Sequence, residues 1–416
     1  MTFAMRDVLL LSHRIPYPPD KGDKIRSWHL LQRLLRCYRI HLGCLIDDEA
    51  DYAHVPMLRQ LCESSHFARI GSFGTRCQMA RALVTGNPLT LAHFYRMSLG
   101  QWVAALHRDY NISAQVIYCS AMAQYVEAIP NFRGKRIIDF VDVDSDKWAQ
   151  YARSRPWPLS WIYGREARLL ADAERRIAKN ADCSLFASEN EANYFRSRNA
   201  DLTAVRSMPN GVDTAYFDPS LKYDNLYGGV GNDPILVFVG RMDYWANVDA
   251  MLWFTREVLP LVRESAPGVR LFIVGAAPTR AVRALGRLGN VIVTGRVPDV
   301  RPYLAHATLV VAPLRIARGI QNKALEAMAM AKAVIATPQV LEGIEAKSGE
   351  NIVVAESGRD FADAVILLLR DWQARLRVGA QARVTVVGNY DWNRRLAVLD
   401  RLLEPTEFAR HRVVIG

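Results

Sequence analysis

Residues 234–241, PILVFVGR, read as one buried strand closed by a glycine and followed by a cation. A short apolar run that stops at Gly is the pattern of a strand covered on both faces. The pattern returns at 269–275 (VRLFIVG) and 291–295 (VIVTG), and the runs LVVA at 309–312 and AVIA at 333–336 follow. Helical stretches lie between them: Asn247 can cap a helix over 248–262, 302–306 is a short helix, and 322–331 a longer one. Apolar strands alternating with helices give an α/β fold, a parallel sheet with helices on both faces. Such sheets bind ligands at the carboxyl ends of their strands.

The first half repeats the plan. Strands are expected at 8–12, 40–46, 115–119, 137–141 and 184–187, with a Pro/Gly-rich loop over 13–23 and a helix over 24–36. Pro209, Gly211, Pro219, Gly228, Gly229 and Gly231 crowd a junction near 206–232, and 392–403 reads as a last helix. At 416 residues the chain is too long for one ordinary core and comfortable for two domains. Its formal charge of +11 suits a nucleotide, a nucleic acid or an anionic membrane. The six cysteines contain no Cys-x-x-Cys pair, which argues against a disulfide scaffold or zinc ribbon and fits a reducing cytoplasm. No apolar run reaches the length of a membrane span, and the N-terminal apolar run is expected to be a first buried strand, not a signal peptide.

Four segments carry possible chemistry. The loop 14–24 (RIPYPPDKGDK) follows the first strand and opens a helix, where Gly22 lets a ligand approach free backbone N–H groups. His13 stands at the end of that strand, and Lys21, Lys24 and Arg26 add charge. Residues 137–148 (IIDFVDVDSDKW) set Asp139, Asp142, Asp144 and Asp146 after a strand; they suit a metal, a base, or simple helix capping. Gly240-Arg241 places a phosphate-reading cation at a strand end. The stretch 312–331 (APLRIARGIQNKALEAMAMA) joins Arg315, Arg318 and Gly319 to a helix whose first turns hold Lys323 and Glu326. There a carboxylate can accept ribose hydroxyls while helix N–H groups and cations hold a diphosphate. Trp148, Trp157 and Trp161, interleaved with Arg153, Arg155 and Arg165, form either an interfacial patch or core.

The loop 14–24, the Gly240-Arg241 turn and the stretch 312–331, with Pro209-Asn210-Gly211-Val212-Asp213 at the junction, resemble the retaining glycosyltransferases of family 4. More narrowly, 13–27, 140–148 and 317–331 resemble the sugar transferases associated with exosortase (PEP-CTERM) exopolysaccharide systems. The resemblance implies a GT-B fold, two Rossmann-like domains facing each other across a cleft. It divides the chain into an acceptor-side domain (1–207), a linker (208–232), a nucleotide-sugar domain (233–390) and a tail (391–416) returning to the first. It implies transfer of a sugar from a nucleotide diphosphate donor to a lipid-linked or growing glycan acceptor. No metal or other cofactor is expected, nor a nucleic-acid partner. The expected place is the cytoplasm, peripherally at the inner face of the plasma membrane, with an anionic membrane surface met through basic Arg33, Arg36 and Arg39.

The residues taken over are Arg241, Lys323 and Asp142 as catalytic, and Gly240, Arg241, Arg318, Gly319, Lys323 and Glu326 for the donor nucleotide. His13, Gly22, Asp23 and Lys24 line the acceptor side. Two departures stand out: Arg318 occupies a position where the family has Glu, and 245–247 lacks the family's Lys. Competing readings are a nucleotide-sugar epimerase of the same architecture and a basic module that binds polyanions or membranes without catalysis.

Overall fold

The computed structural model describes residues 5–19, 21–228, 233–317, 320–341 and 344–404. The chain divides into two compact units, one made of the residues up to Pro209 with those from Leu396, the other of Asn210–Arg395.

The first unit holds seven parallel strands: β1 (Arg6–Ser12), β2 (Tyr38–Ile46), β3 (Ser64–Arg69), β4 (Ile112–Tyr118), β5 (Lys135–Val141), β6 (Cys183–Phe186) and β7 (Val205–Ser207). Their spatial order is β3-β2-β1-β4-β5-β6-β7. Val8 to Leu11 of β1 are wholly buried, as a central strand covered on both faces requires. The strand order reverses between β1 and β4, so the chain leaves their carboxyl ends toward opposite faces and opens a crevice there.

The second unit repeats this with β8 (Ile235–Val239), β9 (Arg270–Val274), β10 (Val291–Gly295), β11 (Leu309–Ala312), β12 (Val334–Ala336) and β13 (Val353–Val354), in the order β10-β9-β8-β11-β12-β13. Its reversal falls between β8 and β11. The glycines that end the first three strands extend the ladder sideways: Gly240 N–H donates to Val274 O at 3.0 Å and Gly275 N–H to Gly295 O at 3.1 Å. Gly275 has φ of 150°, and a Cβ there would stand 1.9 Å from Gly240 O. The backbones can approach this closely only because no side chain intervenes.

Several expectations needed correction. Strand β3 (SSHFAR) escaped notice because it is polar and lies at a sheet edge. The part of the expected linker over 208–228 is packed: Met208, Val212, Phe217 and Tyr227 are buried, and Val212 N–H donates to Tyr390 O at 2.7 Å. Gly211 is where the backbone of 390–392 presses in, since a Cβ would meet Tyr390 O at 2.7 Å. The single helix expected over 392–403 is two, Trp392–Arg395 and Ala397–Leu403, and they belong to different units. The second packs on the first unit through an Arg33–Asp400 ion pair and an Arg6 hydrogen bond to Leu403 O.

Gly275→Ala is expected to lower stability by about 2–4 kcal/mol, since the new methyl collides with backbone that cannot yield. Urea unfolding of the variant checks this; an unchanged midpoint would mean that the strand ends adjust freely.

Candidate functional site

The helix Asn322–Ala329 begins beyond the carboxyl end of β11 and buries Ala324, Leu325, Ala327 and Met328 in the core. Lys323 and Glu326, three residues apart, share a neighbouring face. Lys323 lies over the end of β8: its Cε is 3.3 Å from where a Gly240 Cβ would stand, and its Nζ is 6.0 Å from the centre of the Phe238 ring. Its ammonium donates to Gln321 Oε1 at 3.2 Å. Among the described residues the Glu326 carboxylate accepts no hydrogen bond. Burial pushes the Lys323 ammonium down to about 8 and the Glu326 carboxyl up to about 7, each only partly offset by the other's charge. A cation and a carboxylate so placed can take a diphosphate and a vicinal diol respectively.

Around them, Arg241 follows β8 and its guanidinium is held by Asp243 at 3.1 and 2.6 Å. Arg241 is half exposed, so it can swing toward an anion. Asn247 does not cap its helix, which runs Trp245–Trp253 with Tyr244 at the cap. Instead its buried Nδ2 donates to Arg241 O at 2.8 Å and braces the Gly240–Arg241 turn, while its Oδ1 is buried without a partner. The sequence offered this residue only as a cap; a polar side chain on the buried face just after a Gly-Arg turn was the missed signal. Arg315 is committed to Asp249 in a bidentate pair. Arg318 and Gly319 lie outside the described residues.

The junction motif has a structural role here. Asp213 Oδ1 accepts from Ala215 and Tyr216 N–H at 3.2 and 2.8 Å. The turn places the Tyr216 ring under the Arg301 guanidinium, 3.7 Å from its centre.

In the first unit, His13, Gly22, Asp23 and Asp142 all sit at or after the carboxyl ends of strands. His13 Nε2 is 3.4 Å from Asp23 Oδ2, and its ring stacks on Tyr118 with centroids 5.5 Å apart. Burial alone would lower the His13 pKa, but Cys119 and Asp23 outweigh it and raise it to about 10. Asp23, though partly buried, is driven well below the usual carboxylate range by His13 and Arg14. Ser12 Oγ, His13 Nδ1 and Ser120 Oγ are buried without hydrogen-bond partners. Ser12 pairs in register with Tyr118, so these orphaned atoms gather at the β1/β4 reversal. Ser12, Cys119 and Ser120 were missed in the sequence, where small residues after a strand carry no distinctive mark. A Cβ at Gly22 would meet nothing within 4 Å, which leaves the helix start open.

Lys24 is the correction in this group. It is buried, and its Nζ donates to Asp51 Oδ1 at 2.7 Å, so it faces the interior and not a ligand. Arg26 likewise turns inward onto Asp139, at 2.7 and 2.9 Å. Asp142 and Asp144 are held by Lys147 at 2.8 and 3.1 Å, and among the described residues no cluster of carboxylates, histidines or cysteines is arranged for a metal ion. Asp142 belongs to the first unit, Arg241 and Lys323 to the second.

Both reversals therefore carry charged or orphaned groups. Residues 233–371 match the family model described as glycosyl transferases group 1. This segment contains Gly240, Arg241, Asn247, Lys323 and Glu326. The chain is 27% identical over 260 residues to a GDP-mannose-dependent α-(1-6)-phosphatidylinositol monomannoside mannosyltransferase of Mycolicibacterium smegmatis. That similarity covers 57% of this chain and 66% of the relative, so the chain spans just under two thirds of the relative's length. Among solved structures, a sucrose-phosphate synthase of Thermosynechococcus elongatus superposes with a TM-score of 0.67 at 17% identity, over 99% of this chain and all of that one. Anabaena HepE bound to UDP-glucose superposes at 0.66 with 15% identity, over 95% and 99% of the two chains. The fold is GT-B.

Glu326 is held neutral more readily in the folded chain than in the unfolded one, so its ionisation removes stability as pH rises from about 4.5 to about 7. Glu326→Gln is expected to escape this loss: its melting temperature should gain on that of the wild type between pH 5 and pH 8. A constant difference between the two across that range would show that the carboxyl is not desolvated.

Proposed function

We propose that the chain is a retaining glycosyltransferase that moves a hexose from a nucleotide diphosphate sugar to a lipid-linked or growing glycan acceptor, in exopolysaccharide biosynthesis. The observation that carries the reading is the Lys323–Glu326 pair, incompletely hydrogen-bonded and set over Gly240 at a strand-order reversal. The family match over 233–371 supports it, as do the mannosyltransferase relative and the UDP-glucose complex of HepE. In this reading Lys323 and Arg241 stabilise the departing diphosphate, a role that needs no metal. Glu326 accepts the ribose hydroxyls. His13, Asp23 and Asp142 serve the acceptor side. The anomeric configuration is retained, and the enzyme works at the cytoplasmic face of the membrane.

Lys323 meets a charge that grows as the glycosidic bond breaks, so Lys323→Ala should act mainly on kcat. Glu326 meets a ribose that does not change, so Glu326→Ala should raise the donor KM by about 10–100-fold. Donor binding needs Glu326 ionised and Lys323 protonated. The profile of kcat/KM should therefore be bell-shaped, falling below about pH 7 and above about pH 8, with Glu326→Gln removing the acid limb. Wild-type kinetics in both alanine variants, with the fold verified by circular dichroism, would remove the nucleotide site from this helix.

Turnover should also persist in EDTA, because two side-chain cations serve the diphosphate. Loss in EDTA with recovery on Mg²⁺ or Mn²⁺ would return the Asp139–Asp146 stretch to consideration as a metal site.

A further inference from the structure

The helices Asp144–Ser154 and Leu159–Lys179 form a hairpin whose connection is Arg155-Pro156-Trp157-Pro158. Trp148, Tyr151 and Tyr163 pack together between the two helices, with centroids 5.2–6.3 Å apart, and hold the hairpin stiff. At its tip the aromatic residues turn outward: Trp157 is 80% exposed and Trp161 59%, with Leu159 exposed between them. Arg165 and Arg168 follow Trp161 by four and seven residues, on the same helical face. Arg165 donates to Ala82 O and Leu83 O at 2.9 and 3.2 Å, and Glu166 accepts from Leu89 and Thr90 N–H. These bonds fasten the end of the helix Ser72–Thr85 beside the tip and bring Leu83 and Val84 there, the latter 87% exposed.

The charge around this apolar tip has one sign. No Asp or Glu occurs between Asp146 and Glu166, nor between Glu63 and Asp109. Arg153, Arg155 and Arg168 are exposed, and among the described residues no carboxylate pairs with them. Of the basic residues Arg33, Arg36 and Arg39 expected to meet a membrane, Arg33 pairs with Asp400 and Arg39 with Asp7.

We propose that this hairpin tip docks the protein on an anionic lipid bilayer, with Trp157, Trp161 and Leu159 entering the interface and the arginines binding acidic headgroups. Indole rings settle at headgroup depth, where one part of the ring is apolar and the N–H is wet. Arginines flanking them can lay their stems along the apolar surface while the guanidinium stays with phosphate. Among the described residues no helix is long and apolar enough to cross a membrane, so attachment here is to one leaflet. The inference concerns the surface alone and does not rest on the glycosyltransferase reading.

The test is flotation of the full chain with vesicles of phosphatidylcholine alone or mixed with phosphatidylglycerol, alongside quenching of tryptophan fluorescence by lipids brominated in the acyl chain. Wild type should float with the anionic vesicles at low salt, weakly with neutral ones, and be quenched. Trp157→Ser combined with Trp161→Ser should cut partitioning roughly tenfold and reduce quenching. Arg153→Glu combined with Arg155→Glu should abolish the preference for phosphatidylglycerol. All four positions are solvent-exposed, so the variants should melt as wild type does. Flotation of the tryptophan variant at the wild-type level would overturn the proposal, as would no flotation of wild type at low salt. A wild-type dimer in solution that the tryptophan variant dissolves, without vesicle binding, would assign the tip to self-association instead.

Discussion

A parallel sheet covered on both faces is closed to ligands along its length, because its inner strands are flanked by strands and roofed by helices. It opens only where successive crossovers leave on opposite faces. Each sheet here has one such reversal, beside its first strand: β1/β4 in one unit, β8/β11 in the other. The orphaned polar atoms of Ser12, His13 and Ser120 collect at the first, and the Lys323–Glu326 pair at the second. The sheet topology thus places both of these groups of polar side chains at strand ends.

Buried charge is treated in two ways in this molecule. Lys24 and Arg26 are as buried as any side chain, yet each finds a carboxylate at hydrogen-bonding distance, Asp51 and Asp139. Each pair joins its two charges inside the protein, although Asp51 Oδ2 has no hydrogen-bond partner. Lys323 and Glu326 carry the same chemistry with the pairing incomplete, and their pKa values move in the directions that burial dictates. Groups left in that condition are suited to a partner that brings both phosphate and hydroxyls, and their destabilisation in the free protein is a usual feature of binding sites.

The sequence made the second sheet legible because β8, β9 and β10 are apolar runs each closed by glycine, and at Gly275 no side chain could fit against the Gly240 backbone. It hid β3, whose residues are half polar at an edge, and β7, which is three residues long. The Lys323–Glu326 pair was readable from a spacing of three on one helix. The inward turn of Lys24 was not, since Asp51 lies 27 residues away and Asp139, the partner of Arg26, 113 away. A cation next to a glycine-rich loop reads as ligand-facing until the fold supplies its counter-ion. The aromatic hairpin was ambiguous for a related reason: helical spacing does not say which face is roofed, and the structure buries Glu166 and Glu174 while exposing Trp161.

The Arg26–Asp139 pair also explains a strain that stability alone would not justify. Val141 and Cys119 both have left-handed backbone, φ 69° and 74°, and a β-branched residue tolerates this only when its surroundings enforce it. Asp139 is the enforcing residue. Its carbonyl accepts from Cys119 N–H at 2.8 Å, and its Oδ1 accepts from Val141 N–H at 3.3 Å while also binding Arg26. Ala187 N–H then closes onto Val141 O at 2.6 Å. A pair of apolar side chains could fill the same volume at lower desolvation cost, but it could not accept the Val141 N–H. The buried Asp139 carboxylate, held from the first helix by Arg26, thereby braces the turn by which the chain leaves β5, while the Asp139 backbone carbonyl holds Cys119 at the end of β4. The β5 turn leads through Asp142 into the helix that starts at Asp144. The ion pair therefore does more than neutralise two buried charges: it supplies the acceptor that holds the strained Val141 turn at the end of β5.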